Sequence, residues 1–183
     1  GVLEVHKILV NRGLTEDVVL RRVKDQSGIF HRLPANVVRI LDYAFTEMLN
    51  NAIEHSRSKK IVVRIKRFAG RIDFKVVDRG VGIFKAIKRS RHLANELEAI
   101  QELIKGKLTT DPKRHSGEGI FFTSRMFDRF DIRSGEVYFN HQFGQPEDWI
   151  LQRDNFAEGT SVWMEINNHT ARTTKKVFDT YSS

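Results

Sequence analysis

Between Pro34 and Ser56 the apolar residues keep to one side of a helix, and directly afterwards the pattern switches to alternation. Val37, Val38, Leu41, Ala44, Phe45, Met48, Leu49 and Ala52 share one helical face. Ile61 to Lys66 and Ile72 to Val77 then alternate, with Ala69-Gly70 between them, which predicts a β-hairpin feeding a sheet. A long one-sided helix next to a one-sided hairpin confines the chain to folds that mix helix and sheet in one unit.

The remaining elements are shorter. Leu14 to Lys24 predicts a helix with Thr15 as N-cap and Glu16-Asp17 in its first turn. Val77 runs into Asp78-Arg79-Gly80-Val81-Gly82, a turn that breaks the strand. Beyond it, Leu93, Leu97, Ile100 and Ile104 predict one helix stopped at Gly106, followed by a polar, basic piece, Lys107 to Ser116. Gly117-Glu118-Gly119 opens an apolar helix from Ile120 to Phe127. Strands are expected at Asp131 to Ser134, Val137 to Phe143, Trp149 to Gln152 and Ser161 to Asn167, with turns at Ser134-Gly135 and Gly159-Thr160. Residues 170–183 read as a tail or the start of a linker, which leaves 1–169 as the domain.

Composition removes several chemistries. There is no cysteine, hence no disulfide, thiolate metal site or Cys nucleophile. No apolar run approaches the ~20 residues of a membrane span, and nothing near Gly1 resembles a signal peptide. A cytoplasmic setting is the expectation, with a boundary rather than a natural start at Gly1. The 31 Lys and Arg against 23 Asp and Glu give a net charge of +8. That suits a polyphosphate ligand, nucleic acid, or a solvated basic surface. No aromatic interleaving or nucleic-acid motif accompanies the basic residues.

Four features could carry chemistry, and each has a plain structural alternative. Glu47, Asn51 and His55 stand four residues apart on the border of the apolar helix stripe. A carboxylate there can orient a water or hydroxyl, and a carboxamide oxygen can bind a hard cation such as Mg²⁺. The alternative is a polar helix edge. Asp78-x-Gly80-x-Gly82 lets the backbone approach a flat ligand while Asp78 accepts from an exocyclic amine; the alternative is only a turn. Gly117-Glu118-Gly119 at a helix start exposes N–H groups that attract phosphate. Gly159-Thr160 before the last strand is the fourth. Leu93, Leu97, Ile100 and Ile104 are expected to be packing rather than part of a mobile element, with motion confined to Lys107 to Ser116.

The order of these features is more informative than any one of them. E-x-x-x-N on a helix, D-x-G-x-G after a hairpin strand, an insertion, G-x-G and a late G-T resemble a known ATPase superfamily. Its members include gyrase, mismatch-repair ATPases, heat-shock chaperone ATPases, histidine-kinase catalytic domains and anti-sigma-factor serine kinases. The resemblance spans Pro34 to Ile166. It implies a two-layer α/β sandwich of α+β class, with a mixed, mostly antiparallel sheet covered on one face by helices, and an ATP lid. It also implies Mg²⁺-ATP as ligand. Glu47 matches the catalytic base, Asn51 the Mg²⁺ ligand, and His55 a residue against the base or sugar. Asp78 matches the aspartate that receives the adenine amine, with Gly80 and Gly82 forming its turn. Gly117 and Gly119 match the glycines that anchor the lid and meet phosphate, and Thr160 the threonine that supports the adenine contact through water. Lys113 and Arg114 are candidate lid cations. The stretches FTEMLNNAIEHS and TTDPKRHSGEGIFFTSRMFD look closest to bacterial ATPase modules placed before a STAS-like domain.

Departures narrow the family reading. The stretch before Pro34 is too short for a phosphoacceptor hairpin, so an autonomous histidine kinase is not expected. The resemblance leaves phosphoryl transfer to a protein Ser or Thr hydroxyl, or to water, as one function. A nucleotide-gated interaction module with little turnover is the alternative, and nucleic-acid binding a weaker one. The expected partners are ATP, a protein partner or a fused STAS-like domain, and a second copy of the chain.

Overall fold

The computed structural model describes residues 2–104 and 116–182. In chain order the elements are β1 (Leu3–Val10), α1 (Glu16–Ser27), α2 (Ala35–His55), β2 (Lys60–Arg67), β3 (Arg71–Asp78), α3 (Ile83–Ser90), α4 (Glu96–Ile104), α5 (Ser116–Met126), β4 (Arg129–Gln142), β5 (Trp149–Asn167) and α6 (Thr174–Tyr181). The five strands form one sheet in the order β1-β2-β3-β5-β4, and every described pairing is antiparallel. Helices cover one face, so the expected two-layer α+β sandwich is what forms.

The core lies between α2 and the sheet. Ile61, Val63 and Ile65 of β2, Ile72, Phe74 and Val76 of β3, and Val162, Met164 and Ile166 of β5 all point into it. Against them α2 buries Val37, Ile40, Leu41, Ala44, Phe45, Met48, Leu49 and Ala52. Ile40 joins the expected apolar face, and Val38 sits at its half-buried margin. Phe45 stacks on Phe74 with ring centroids 5.5 Å apart, which fixes α2 over β3. Each large apolar side chain buried in this way contributes roughly 1.5–3 kcal/mol.

Several elements differ from expectation for identifiable reasons. Residues Ile83 to Ile104 hold two helices: the chain turns after Arg91, where His92 has φ 54°, and restarts at Asn95. The Asn95 side chain accepts from the Glu98 N–H (2.9 Å), and the Glu98 carboxylate accepts from the Ala94 N–H (2.7 Å). This reciprocal cap outweighs the continuous apolar spacing. Thr15 does precede α1, but its side chain makes no capping bond. Ser134-Gly135 is no hairpin turn: β4 continues through it with a register shift, a bulge made possible by Gly135 at φ 58°. Gly159-Thr160 likewise lies inside one long β5 rather than between two strands.

The residues read as a tail form α6. The Thr173 side chain caps it by accepting from the Lys176 N–H, and Phe178 packs edge-on against Tyr43 (5.3 Å) and Phe122 (4.9 Å). Among the described residues no helix is long and apolar enough to cross a membrane.

Candidate functional site

Three segments distant in sequence close on one another where α2 ends. Ser56 terminates the helix, and its carbonyl accepts from the Val81 N–H at 2.6 Å. The turn after β3 is therefore seated directly on α2. Gly80 is what permits this: a Cβ built there would lie 1.8 Å from the Ser56 carbonyl oxygen. From the other side Gly159 approaches with φ 74°, its own hypothetical Cβ 2.1 Å from the Asp78 carbonyl oxygen. Glycine at both positions is a requirement of close backbone approach.

The seating directs Asp78 inward. Asp78 is only 6% exposed, and its Oδ1 accepts from the Gly80 N–H at 2.9 Å. Burial, the largest influence, pushes its carboxyl above the ordinary carboxylate range; hydrogen bonds from the Gly80 and Thr160 backbone oppose this. Thr160 is the cross-strand neighbour of Asp78, so both side chains face the same way.

Thr160 is held by a small hydroxyl chain. Its Oγ1 accepts from the Ile83 N–H at 2.9 Å. Ser134 Oγ donates to the Gly159 carbonyl at 3.0 Å and stands 3.1 Å from Thr160 Oγ1. The single Ser134 proton is committed to Gly159, so Thr160 donates to Ser134 and faces the pocket only as an acceptor. Ser134 was not singled out from sequence, because its partners lie 25 and 26 residues away on another strand. Gly82, at φ 92°, fits beneath it: a Cβ there would come within 2.7 Å of Ser134 Oγ.

Asp78 and Thr160 line one pocket of about 370 Å³, counting its open mouth. Asn51, His55, Asp78 and Thr160 supply polar groups, while Met48, Ile83, Ile120, Ile132 and Val162 are among its apolar walls. The Asn51 amide nitrogen is buried with no hydrogen-bond partner among the described residues. Its N–H donors are thus left for a ligand to satisfy. A largely apolar pocket with a buried carboxylate in its lining suits a heteroaromatic ring carrying an amine.

Glu47 is not in this pocket. It lies one turn before Asn51 and lines a neighbouring cleft with Tyr43, Glu118, Gly119, Phe122, Phe178 and Ser182. The first turn of α5 packs on it so closely that a Cβ at Gly119 would sit 2.2 Å from Glu47 Oε2. Gly117 and Gly119 both fall in that first turn, where backbone N–H groups have no helical acceptors. Tyr43 is half-buried beside Glu47 in this cleft; desolvation raises its pKa first and the charges of Glu47 and Glu118 add to it, so the phenol keeps its proton. Lys113, Arg114 and the expected lid, Lys107 to Ser116, fall almost wholly outside the described residues, with only Ser116 inside them, opening α5.

Fold and pocket together define a two-layer sandwich with a largely apolar pocket between α2 and the sheet. The family model of the histidine kinase-like ATPase domain matches residues 13–138, well over half the chain, and the chain belongs to that family. It is therefore an ATP-binding module of this superfamily. Thr160 and α6 lie beyond the matched range. No curated protein matches the chain.

Proposed function

We propose that the domain transfers the γ-phosphoryl group of Mg²⁺-ATP to a protein Ser or Thr hydroxyl, with water as a slow substitute. The observation that carries the reading is the buried Asp78 carboxylate in the lining of a largely apolar pocket, shared with Asn51, whose amide nitrogen has no partner among the described residues. Adenine enters the pocket with its exocyclic amine donating to Asp78, supported by Thr160, and His55 flanks the base or sugar. Gly117 and Gly119 offer N–H groups to the phosphates. Glu47 takes the acceptor proton, and Lys113 and Arg114 are the lid cations.

The residues fit Mg²⁺ of the kind shared with a substrate. No group of three or more His, Cys, Asp or Glu side chains among the described residues could cage a metal, and Asn51 is one oxygen ligand of the sort that complements phosphate oxygens. The ion, when bound, supplies charge neutralisation across the β- and γ-phosphates. The acceptor is proposed to lie on a STAS-like domain, supported by the likeness of residues 45–56 and 109–128 to modules that precede one.

Binding can be measured by melting temperature. Mg²⁺-ATP at about 100 times its Kd should add roughly 2.7 kcal/mol. GTP should add far less, because Asp78 faces a carbonyl oxygen in place of an amine. The pH dependence has a definite sign. The amine prefers the ionised carboxylate, so ATP affinity should fall as pH drops through the raised Asp78 pKa. Folding without nucleotide runs the other way. The native state holds the Asp78 proton more tightly than the unfolded chain, so that stabilisation is fullest below the ordinary carboxylate pKa and is lost as pH rises through the raised one. Asp78→Asn should abolish both limbs and weaken ATP without lowering the ligand-free melting temperature. Equal shifts with ATP and GTP would sink the Asp78 assignment.

A further inference from the structure

Glu47 lines a cleft distinct from the pocket that holds Asp78, and that cleft already contains a hydroxyl of this chain. Tyr43 and Glu47 of α2, Glu118 and Gly119 of α5, and Phe178 and Ser182 of the α6 end line that cleft, about 570 Å³ with its open mouth. Ser182 is held there by more than chain connectivity. Its N–H donates to the Phe178 carbonyl at 2.8 Å, closing the helix. Phe178 is wedged between Tyr43 and Phe122, and Tyr181 packs edge-on against Phe121 at 5.6 Å. The Ser182 hydroxyl has no hydrogen-bond partner among the described residues, whereas the nearby Thr180 hydroxyl is exposed and spent on the Lys176 carbonyl at 2.7 Å.

We infer that Ser182 is an acceptor for the domain's own phosphoryl transfer, a modification site reached through the Glu47 cleft; the inference rests on the function proposed above. Glu47 touches both sides of the step: its carboxylate abuts Gly119 in the α5 turn proposed to hold phosphate, and it lines the cleft where Ser182 stands. In the reaction the Ser182 oxygen forms a bond to the γ-phosphorus as the bond from that phosphorus to the bridging oxygen breaks. ADP departs with that oxygen and its electron pair, and the serine proton passes to the Glu47 carboxylate. Tyr43, protonated throughout, lines the same cleft beside that carboxylate. Product phosphate would stand beside Glu47 and Glu118, and the repulsion between these anions favours release of the α6 end from the cleft.

The test incubates the chain with Mg²⁺ and γ-labelled ATP, follows protein label and free phosphate separately, and locates label by fragmenting the peptide after Lys176. Label is expected on Ser182, at a first-order rate independent of protein concentration. Ser182→Ala should lose it, Thr180→Ala should keep it, and Glu47→Gln should slow it by about 10²-fold or more. ATP consumption that depends on Glu47 but leaves Ser182 unlabelled overturns this inference alone. Absence of consumption and label together, with ATP binding intact, overturns the proposed function with it. Label on another residue, or a rate that rises with protein concentration, also refutes the placement in a single chain.

Discussion

Glu47→Gln is expected to lower ATP turnover by about 10²–10⁴-fold while leaving ATP affinity within a few-fold of the parent. Glutamine keeps the shape that packs against Gly119 and Tyr43 but cannot take a proton. A base acts on the acceptor only as the new bond forms, so its loss falls on the transition state and spares the ground state. The location of Glu47 outside the Asp78 pocket sharpens the expectation, because no contact to adenine goes through it. Initial-rate phosphate release and a parallel binding titration make the check. A variant that turns over ATP like the parent would remove Glu47 from the chemistry. Tight binding with no consumption by parent or variant would instead support a nucleotide-gated interaction module.

How far this site could be read from sequence depended on whether each contact is local. Asn51 and His55 follow from helical periodicity, and Asp78 from a strand that runs into glycines; all three meet in one pocket. The hydroxyl chain from Ile83 through Thr160 and Ser134 to Gly159 had no such signal, since it exists only once β4 and β5 pair. The separation of Glu47 from Asn51 by the first turn of α5 was equally invisible, because spacing on one helix says nothing about what packs over it. β1 escaped notice for a different reason. Its inward positions include Lys7, while Ile8 and Val10 point to solvent at 63% and 64% exposure, so the edge strand lacks clean alternation. α6 was legible in principle: Thr173 is a capping residue, and Phe178 and Tyr181 share a face at helical spacing.

Gly80→Ala should be strongly destabilising, costing about 3 kcal/mol or more. The new Cβ would sit 1.8 Å from the Ser56 carbonyl oxygen, 2.4 Å from its carbonyl carbon and 2.7 Å from its Cβ. Two of these three atoms are backbone, and the helix end cannot yield easily. Ser56 Oγ bonds the Ala52 carbonyl and accepts from the Ser58 N–H, while its own carbonyl holds the Val81 N–H. Relief therefore requires the turn to lift off α2, which breaks the Val81 bond and carries Asp78 out of register with Thr160. In a chain of this size about 3 kcal/mol corresponds to a melting-temperature drop of roughly 6–12 °C. ATP should restore less of that loss than it adds to the parent, because the displaced carboxylate no longer meets adenine. Gly70→Ala is the matched control: nothing lies within 4 Å of its Cβ and its φ is not in the left-handed region. It should stay within about 0.5 kcal/mol of the parent. Ser56→Gly on the Gly80→Ala background removes the contact at 2.7 Å but leaves the carbonyl at 1.8 Å, so it should not rescue. If Gly80→Ala melted like Gly70→Ala, the turn would not be seated on α2, and the inward aim of Asp78 would need another cause.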